Sequence, residues 1–251
     1  MRVLHGLPSR IALAAGLLAA PAVQAQDWTG QFTIYGWFPT IEGEQDRDNG
    51  KPAIEITAKD ILEALDLAAF AAGEIRRDRF GLLFDMAYVR LSQDAERNDL
   101  VGSDVDASAA VKNTIYYATG AATWRFYEQD RKFADVYAGL RAMGTTADFK
   151  FTLGGIYRTP SVEVNWVDPI IGLRGQYPLS ERWTLAALAD IGGFGVGSEL
   201  TWEAYAGANY AFNDHFSGVF GYRYMSIDYE DDTITMDINL YGPMLGIQYR
   251  F

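Results

Sequence analysis

Twelve charged residues alternate with apolar residues along this sequence, and they are the side chains best suited to chemistry. Six are carboxylates and six are arginines, and none is a lysine. A guanidinium is planar, always charged and able to bind a carboxylate bidentately, so it suits a crowded interior better than a hydrated ammonium does. The even balance predicts that these side chains neutralise one another. The twelve are Glu74, Arg76, Asp85, Arg125, Asp135, Arg141, Asp168, Arg174, Asp190, Glu203, Arg223 and Arg250.

Catalytic and metal chemistry has little support in this sequence. Cysteine is absent, and the two histidines are His5 and His215. His215 lies in a polar turn sequence, which accounts for it without catalysis. Nucleophile–histidine sites and zinc clusters are therefore unsupported. A site built from Asp85, Asp168 and Asp190 is the remaining alternative, but arginines at similar depth indicate ion pairs. We expect a protein that is not an enzyme, with no catalytic residues, no cofactor and no bound metal.

Acidic clusters occur in two predicted loops. Oxygen-rich clusters can hold Ca²⁺ or bridge to lipopolysaccharide through divalent cations, but the spacing here matches no calcium-binding loop. Solvated loops are the simpler interpretation. The formal net charge of −12 argues against nucleic acid as a partner. The clusters are Glu42, Glu44, Asp46 and Asp48 in one loop, and Glu230, Asp231 and Asp232 in the other.

The elements that must position the twelve charges are β-strands. Apolar and polar residues alternate with a period of two, which predicts about ten strands, with eight or twelve as alternatives. The predicted strands cover residues 28–39, 67–76, 80–91, 111–126, 133–145, 164–179, 183–195, 200–212, 216–229 and 235–251.

Each predicted strand has two chemically different faces. One face is aliphatic or small in the middle and aromatic at the ends, as at Phe80, Trp124, Tyr177 and Phe212. This resembles the aromatic girdle of a membrane protein. The twelve charges fall on the other face. Because an arginine in contact with lipid near the bilayer midplane would cost about 2–4 kcal/mol, they belong inside.

The connections between the predicted strands alternate between short polar turns and longer loops. The longer ones cover roughly residues 41–66, 92–110 and 144–163. This asymmetry is typical of outer-membrane barrels. Within the first long connection, Thr57 and Asp60 form a weak capping-box pattern ahead of Ile61, Leu62 and Leu65. A short amphipathic helix is one interpretation, and an extension of the second strand is the other.

The two ends of the sequence carry targeting patterns. Residues 1–25 have a positive start, a short apolar core and a small residue at Ala25, which predicts a signal peptide followed by a barrel domain over residues 26–251. An N-terminal membrane anchor is the alternative. The aromatic strand that includes Gly246, Tyr249 and Phe251 resembles the assembly signal of bacterial outer-membrane proteins, and we expect it to seal the barrel against the first strand.

These features predict an all-β fold, a transmembrane antiparallel up-and-down β-barrel. The rival is a secreted soluble barrel or sandwich with its apolar face turned inward. The aromatic final strand and the alternation of turns and loops argue against that rival.

Several segments resemble a family of small proteobacterial outer-membrane β-barrel (porin-like) proteins. They are TIYGWFP, WVDPIIGLRGQYPLSERW, LADIGGFGVGSELTWEAYAGANYAF, GYRY and the final YRF. The resemblance implies an outer-membrane location and no particular substrate. The chain differs from omptin-type and lipid A-modifying barrels because it lacks their histidine at the outer rim.

We therefore expect a narrow barrel with a charge-paired lumen. Its role would be structural, surface-interacting or limited small-solute passage. An enzyme acting on surface lipid or peptide, and an adhesin-like binder using outer loops, are the alternatives. The expected partners are membrane lipid, lipopolysaccharide and, through the last strand, the barrel-assembly machinery. The sequence does not determine the oligomeric state. The charged set could line a conduction path or a binding cavity, or it could fill the interior as a structural core.

Overall fold

The structure is a computed structural model that describes residues 28–43, 54–97, 107–153, 156–230 and 235–251. These residues form thirteen strands and one helix. The strands are β1 (Trp28–Trp37), β2 (Thr40–Gly43), β3 (Ile54–Ile56), β4 (Leu65–Arg77), β5 (Phe80–Arg97), β6 (Ala107–Gln129), β7 (Lys132–Leu153), β8 (Ile156–Arg158), β9 (Ser161–Pro178), β10 (Trp183–Gly193), β11 (Leu200–Ala211), β12 (Phe216–Glu230) and β13 (Thr235–Arg250), and the helix is α1 (Ala58–Glu63).

Two predictions fall on residues outside these ranges. The signal peptide over residues 1–25 is one of them, so the division into a signal peptide and a barrel domain stays a prediction. Most of the acidic loop residues are the other. Those outside the described ranges are Glu44, Asp46, Asp48, Asp231 and Asp232.

Ten of the described strands close into a barrel, and each pairs antiparallel with its neighbours. The order is β1-β4-β5-β6-β7-β9-β10-β11-β12-β13, and β13 returns to pair with β1 from Gln31–Arg250 to Trp37–Met244. Closure removes the free edges that a bilayer would not tolerate. The prediction of a transmembrane antiparallel up-and-down β-barrel is confirmed, with ten strands in the barrel.

The period-two pattern puts opposite chemistry on the two faces of each strand. In β12, Arg223, Met225 and Ile227 point inward and are buried, whereas Phe220 and Tyr222 point outward and are about half exposed. The outward side chains of neighbouring strands are also apolar, and together they form a continuous apolar belt. A membrane is the environment in which such a belt is stable.

Rows of cross-strand neighbours mark the borders of this belt on the β5–β9 side. At the end with short connections, which we name the turn end, Phe80 pairs with Trp124 and Trp124 with Val136. At the opposite end, the loop end, the border row is Tyr88, Tyr116, Gly144 and Asn165. Tyr116 to Trp124 are nine residues of β6, which agrees with the ~9–11 residues that a tilted strand needs to span a bilayer.

The strands of this side continue well beyond the loop-end row. Pairing of β5, β6 and β7 persists to Arg97–Ala107 and Ala107–Leu153. The predicted long loops over residues 92–110 and 144–163 are therefore wrong for much of their length. We name the paired residues beyond the row the loop-end extension. Its part of β6, residues 107–115, corresponds to about 30 Å along the strand.

Two of the turn-end connections are two-residue turns that depend on aspartate. Asp78 and Asp130 adopt positive φ angles of 52° and 55°. Aspartate tolerates this left-handed conformation better than most residues do, because its short side chain can bond to the local backbone. The short turns on this side follow the predicted pattern of connections.

The first long connection contains small elements of its own. Strand β2 pairs with β13 and with β3, outside the barrel order. Thr57 and Asp60 form a reciprocal capping box at the start of α1, so the predicted helix is confirmed at Ala58–Glu63. No helix among the described residues has the length and hydropathy needed to cross a membrane.

Candidate functional site

The charges at the turn end of the lumen form one ion-pair cluster. We name it the turn-end cluster, and its members are Glu74, Arg76, Arg125, Asp135 and Arg174. The carboxylate of Asp135 is fully buried and accepts from three guanidiniums: Arg76 at 2.6 Å, Arg125 at 2.9 Å and Arg174 at 2.9 Å. The carboxylate of Glu74 pairs with Arg76 at 2.6 Å and with Arg174.

Neighbouring side chains fix these guanidiniums in place. Arg76 also donates to Thr123 Oγ1 at 2.9 Å and to the carbonyl oxygen of Arg79 at 3.1 Å. The Arg125 guanidinium lies 4.0 Å from the ring centroid of Phe133, where the face of the ring attracts a cation. The cluster is therefore a rigid part of the wall and does not resemble a set of mobile lumenal charges.

A second group of charges crosses the lumen further toward the loop end. We name it the mid-lumen network, and its charged members are Asp85, Arg141, Asp190, Glu203 and Arg223. Arg141 Nη2 lies 2.8 Å from both Asp190 and Glu203. Arg223 Nη2 lies 2.8 Å from Glu203 and 2.9 Å from Asp85. Glu203 thus joins the two arginines, and the chain of ion pairs runs from β10 to β5.

Tyrosines complete the mid-lumen network, although the charge pattern of the sequence does not indicate them. Arg223 Nη1 lies 2.5 Å from the hydroxyl of Tyr117, and the hydroxyls of Tyr117 and Tyr35 are 2.7 Å apart. Tyr35 donates to Asp85 Oδ1 at 2.5 Å. Tyr137 donates to Asp190 at 2.8 Å. Each of these tyrosines lies an even number of residues from an inward-facing residue of its own strand. This spacing predicts an inward-facing side chain and could have identified them from the sequence.

An apolar cluster fills the lumen beyond the mid-lumen network, toward the loop end. Its buried members include Trp37, Met143, Val164 and Ile227, and Met225 is only 1 % exposed. Trp166 and Tyr229 pack against each other there, with ring centroids 4.6 Å apart. The network and this cluster together close the lumen from its middle to its loop-end mouth.

The remaining two predicted lumen residues belong to neither charge cluster. Asp168 is fully buried and bound by neutral donors: Ser198 N at 2.8 Å, Ser198 Oγ at 2.9 Å and Trp166 Nε1 at 3.1 Å. Arg250 donates to Gln248 Oε1 at 3.2–3.3 Å. The expected mutual neutralisation therefore applies to ten of the twelve residues. Arg141 is the cross-strand neighbour of Asp168, but its guanidinium reaches Asp190 and Glu203 instead.

Asp168 anchors the connection between β10 and β11 to the barrel wall. Gly193, the last residue of β10, and Gly195 in the connection have φ angles of 86° and 68°, a region that glycine adopts without steric cost. These angles turn the chain so that Ser198 reaches Asp168 and is itself 1 % exposed. This connection is a fixed part of the loop end.

The carboxylates considered for catalysis are all engaged in structural contacts. Asp85 and Asp190 bind arginine and tyrosine, and Asp168 binds the β10–β11 connection. His215 lies at the turn end, where its Nδ1 is 3.0 Å from the carbonyl oxygen of Arg250. Within the described ranges, no group of three or more His, Cys, Asp and Glu residues could hold a metal ion.

The residues of the expected assembly signal lie on the strand that closes the barrel. Gly246 pairs with Tyr35, and Tyr249 pairs with Phe32 of β1 and with Phe216 of β12. Phe251 exchanges two backbone hydrogen bonds with Gly30, both 3.1 Å long. Both aromatic rings face outward at the turn-end border of the apolar belt. Recognition of this strand during assembly stays a prediction.

Comparison with known proteins supports the fold. No protein-family model and no curated protein matches the sequence. Among solved structures, the chain is similar to the outer-membrane protease OmpT from Escherichia coli, with a TM-score of 0.53, 9% identity, and coverage of 91% of this chain and 98% of that one. It is also similar to the translocator domain of the autotransporter NalP from Neisseria meningitidis, with a TM-score of 0.51, 15% identity, and coverage of 90% and 88%. The chain therefore shares the fold of outer-membrane β-barrel proteins, in agreement with the predicted location.

Proposed function

We propose that this protein is a non-conducting outer-membrane barrel that acts as a surface-binding module. Its lumen serves as a rigid core, and its binding surface is the loop-end extension. The support for a rigid core is the closure of the lumen by the mid-lumen network and the apolar cluster, in which most side chains are buried. A porin leaves an aqueous channel between its walls, and here side chains occupy that space.

The observation that carries the binding role is an exposed apolar face on the loop-end extension. Phe151 and Val162 share the inward-facing side of their strands with Arg141 and Asp168, but they lie beyond the filled lumen and are 44% and 45% exposed. Phe151 stacks on Phe149, with ring centroids 6.1 Å apart. A contiguous apolar patch that is exposed to water away from the bilayer marks an interaction site.

Neither catalysis nor solute passage is favoured by a specific observation. OmpT is a protease with the same fold, but the chain has only two histidines in its entire sequence, and the one in the barrel lies at the turn end. The possible acids of a catalytic site are bound by arginine, tyrosine or backbone groups. Passage would require the ion pairs of Arg223 and the packing of Met225 to break together.

The proposed partners around the barrel are membrane lipid and lipopolysaccharide. The apolar belt supports the lipid contact, and a row of tyrosines at the loop-end border, Tyr88 and Tyr116, supports contact with headgroups. For the barrel-assembly machinery, the support is the outward position of Tyr249 and Phe251 on β13.

Attachment of cells that display the protein tests the binding role. We expect the wild-type barrel to increase attachment to surfaces coated with fibronectin or collagen, or to bare polystyrene. Phe151→Ser should remove that increase. Lys150→Ser is the matched control, because Lys150 is adjacent but faces the opposite side of β7. No increase over cells without the barrel on any of these surfaces, or equal losses for the two variants, would count against the binding role.

A further inference from the structure

One edge of the loop-end extension has no neighbouring strand within the described ranges. Strand β9 pairs with β7 as far as Ser161, but its pairing with β10 stops at Ile170. The connection between β10 and β11 covers the next part of β9, because a Cβ added at Gly197 would lie 2.5 Å from the carbonyl oxygen of Val167. Residues Ser161–Asn165 lie beyond this cover, and we name them the β9 edge. They extend about 17 Å along the strand.

The backbone of the β9 edge directs hydrogen-bonding groups toward this open side. Phe149 N–H donates to the carbonyl oxygen of Pro160 at 2.9 Å, which makes these residues a hydrogen-bonded pair of the β7–β9 ladder. Such pairs recur at every second residue of antiparallel strands, and the register of this ladder has no shift. Ser161, Glu163 and Asn165 therefore direct their N–H and C=O groups away from β7, where no described strand pairs with them. The β9 edge is thus a template for an additional strand.

The side chains of the β9 edge alternate between apolar and polar. Val162 and Val164 face inward, and Val162 is 45% exposed. The outward-facing side chains are Ser161, Glu163 and Asn165, and all three are exposed. Among the described contacts, the Glu163 carboxylate accepts only from the Asn165 amide, at 2.6 Å. An added strand would therefore place alternate side chains beside valine and beside an unpaired carboxylate. Apolar pairs and pairs of opposite charge stabilise neighbouring strands, which favours a strand that alternates apolar with basic residues.

A separate peptide suits this edge better than a second copy of the barrel does. Two copies in one membrane have the same orientation, so a symmetric dimer could join its β9 edges only as parallel strands, whose pairing is slightly less stable. The opposite edge of the extension, on β5, runs in the other direction. Its sequence carries Asp94, Glu96 and Arg97, and charged side chains on an edge strand disfavour pairing. A separate peptide can pair antiparallel with the β9 edge without these constraints.

We propose that the β9 edge binds, by antiparallel strand addition, an extended polypeptide segment in which apolar residues alternate with lysine or arginine. The backbone of the segment pairs with Ser161, Glu163 and Asn165. Its apolar side chains lie beside Val162 and Val164, and a basic side chain lies beside Glu163. Main-chain hydrogen bonds supply affinity in this mode of recognition, and the alternating side chains supply specificity. The inference rests on the proposed function of the loop-end extension as a binding surface, and it adds the conformation and chemistry of the partner.

Fluorescence anisotropy of a short labelled peptide of alternating lysine and valine, added to the full barrel in detergent, tests this site. A lysine opposite Glu163 would direct its backbone amide at β9, whereas the valine amides would point away. Methylation of the lysine backbone amides should therefore weaken binding at least about tenfold, and methylation of the valine amides should leave it nearly unchanged. A peptide of alternating glutamate and valine should bind more weakly than the parent. Equal affinities of the two methylated peptides, or no binding of the parent peptide, would overturn the proposal.

Two variants of one residue locate the binding on the β9 edge. Glu163→Pro and Glu163→Ala both lose the carboxylate, but only proline also loses the N–H on the open side of the strand. The pairing of β9 with β7 does not use this N–H, so proline is tolerated there. We expect Glu163→Pro to bind the peptide at least about tenfold more weakly than Glu163→Ala does. Heat-modifiable gel mobility confirms that both variants are folded. Equal affinities of the two variants would place the peptide elsewhere and contradict the assignment.

The attachment assay separates this inference from the proposed function. Suppose that Phe151→Ser abolishes attachment, whereas Glu163→Pro matches Glu163→Ala in both attachment and peptide binding. The extension then binds through its apolar face, and strand addition alone is overturned. If no attachment occurs but the peptide binds with the expected effect of proline, strand addition is supported and only the attachment role fails. A wild-type dimer that Glu163→Pro separates, with no peptide bound, would assign the β9 edge to a second copy and overturn the proposal.

Discussion

Arg223 Nη2 lies 2.9 Å from Asp85 Oδ2, although the two residues are on walls of the barrel that are four strands apart. The same nitrogen lies 2.8 Å from Glu203 on the adjacent strand. One guanidinium thus ties three strands together at the middle of the membrane. Because Arg223 is only 2 % exposed, these ion pairs are shielded from water and salt.

Removal of Arg223 should be strongly destabilising. Arg223→Ala leaves Asp85 without its arginine and leaves Glu203 with Arg141 alone. Breaking such a buried pair costs about 3–5 kcal/mol. Arg250→Ala is the matched control, because Arg250 is partly buried and bonds only to the neutral Gln248 among the described side-chain contacts. Its loss removes a hydrogen bond of a charged group, which is worth about 1.5–3 kcal/mol, and leaves no buried carboxylate without its arginine. Urea unfolding of the two variants in detergent, followed by gel mobility, measures the difference. Equal midpoints would show that the network contributes little to stability.

Asp168 should control the order of the β10–β11 connection. Asp168→Ala removes the acceptor of the Ser198 amide and hydroxyl, and a hydrogen bond to a charged group is worth about 1.5–3 kcal/mol. We expect faster hydrogen exchange at the Ser198 amide, measured by mass spectrometry, with partial protection in Asp168→Asn. Asp148→Ala removes an exposed carboxylate that binds Ser161, and it should not change exchange at Ser198. Unchanged exchange in Asp168→Ala would contradict the anchoring role.

The start of α1 should respond to acid. Hydrogen bonds from the Thr57 hydroxyl and amide lower the pKa of Asp60 below its ordinary value of about 3.9. A carboxylate with a lowered pKa stabilises the folded form above its unfolded pKa, and that contribution is lost as the pH falls through the folded pKa. The capping box should therefore persist at neutral pH and open only in stronger acid than free aspartate needs. An NMR titration of Asp60 in wild type and Thr57→Ala measures this, and identical pKa values in the two would exclude the contact.

The barrel itself was predictable because the membrane and the lumen impose opposite chemistry on alternate residues. Trp28, Phe80 and Phe216 begin strands in the structure where the sequence predicts them. The same dependence on the membrane explains why the sequence did not predict the strands of the loop-end extension. Beyond Tyr88 and Tyr116 no lipid touches the outer face, so polar residues replace the apolar ones and the pattern resembles loops, although backbone pairing continues.

The contacts between charges could not be predicted from the sequence. Period and sign place Arg141 and Asp168 on the inner face, where they are cross-strand neighbours. The long arginine side chain reaches two other strands instead, and Asp168 binds a loop. Tyr35 and Tyr117 were also missed, because an inward tyrosine does not differ in pattern from an apolar residue. Which side chains meet depends on strand tilt and on the curvature of the closed barrel.

Planar-bilayer recording of the reconstituted barrel tests whether its lumen is closed. The mid-lumen network and the apolar cluster block the lumen together, so we expect no single-channel steps from wild type. Arg174→Ala should also give none, because Arg174 lies on the turn-end side of the block. Reproducible steps from wild-type protein, absent from protein-free bilayers and from a heat-denatured sample, would show that the lumen is open.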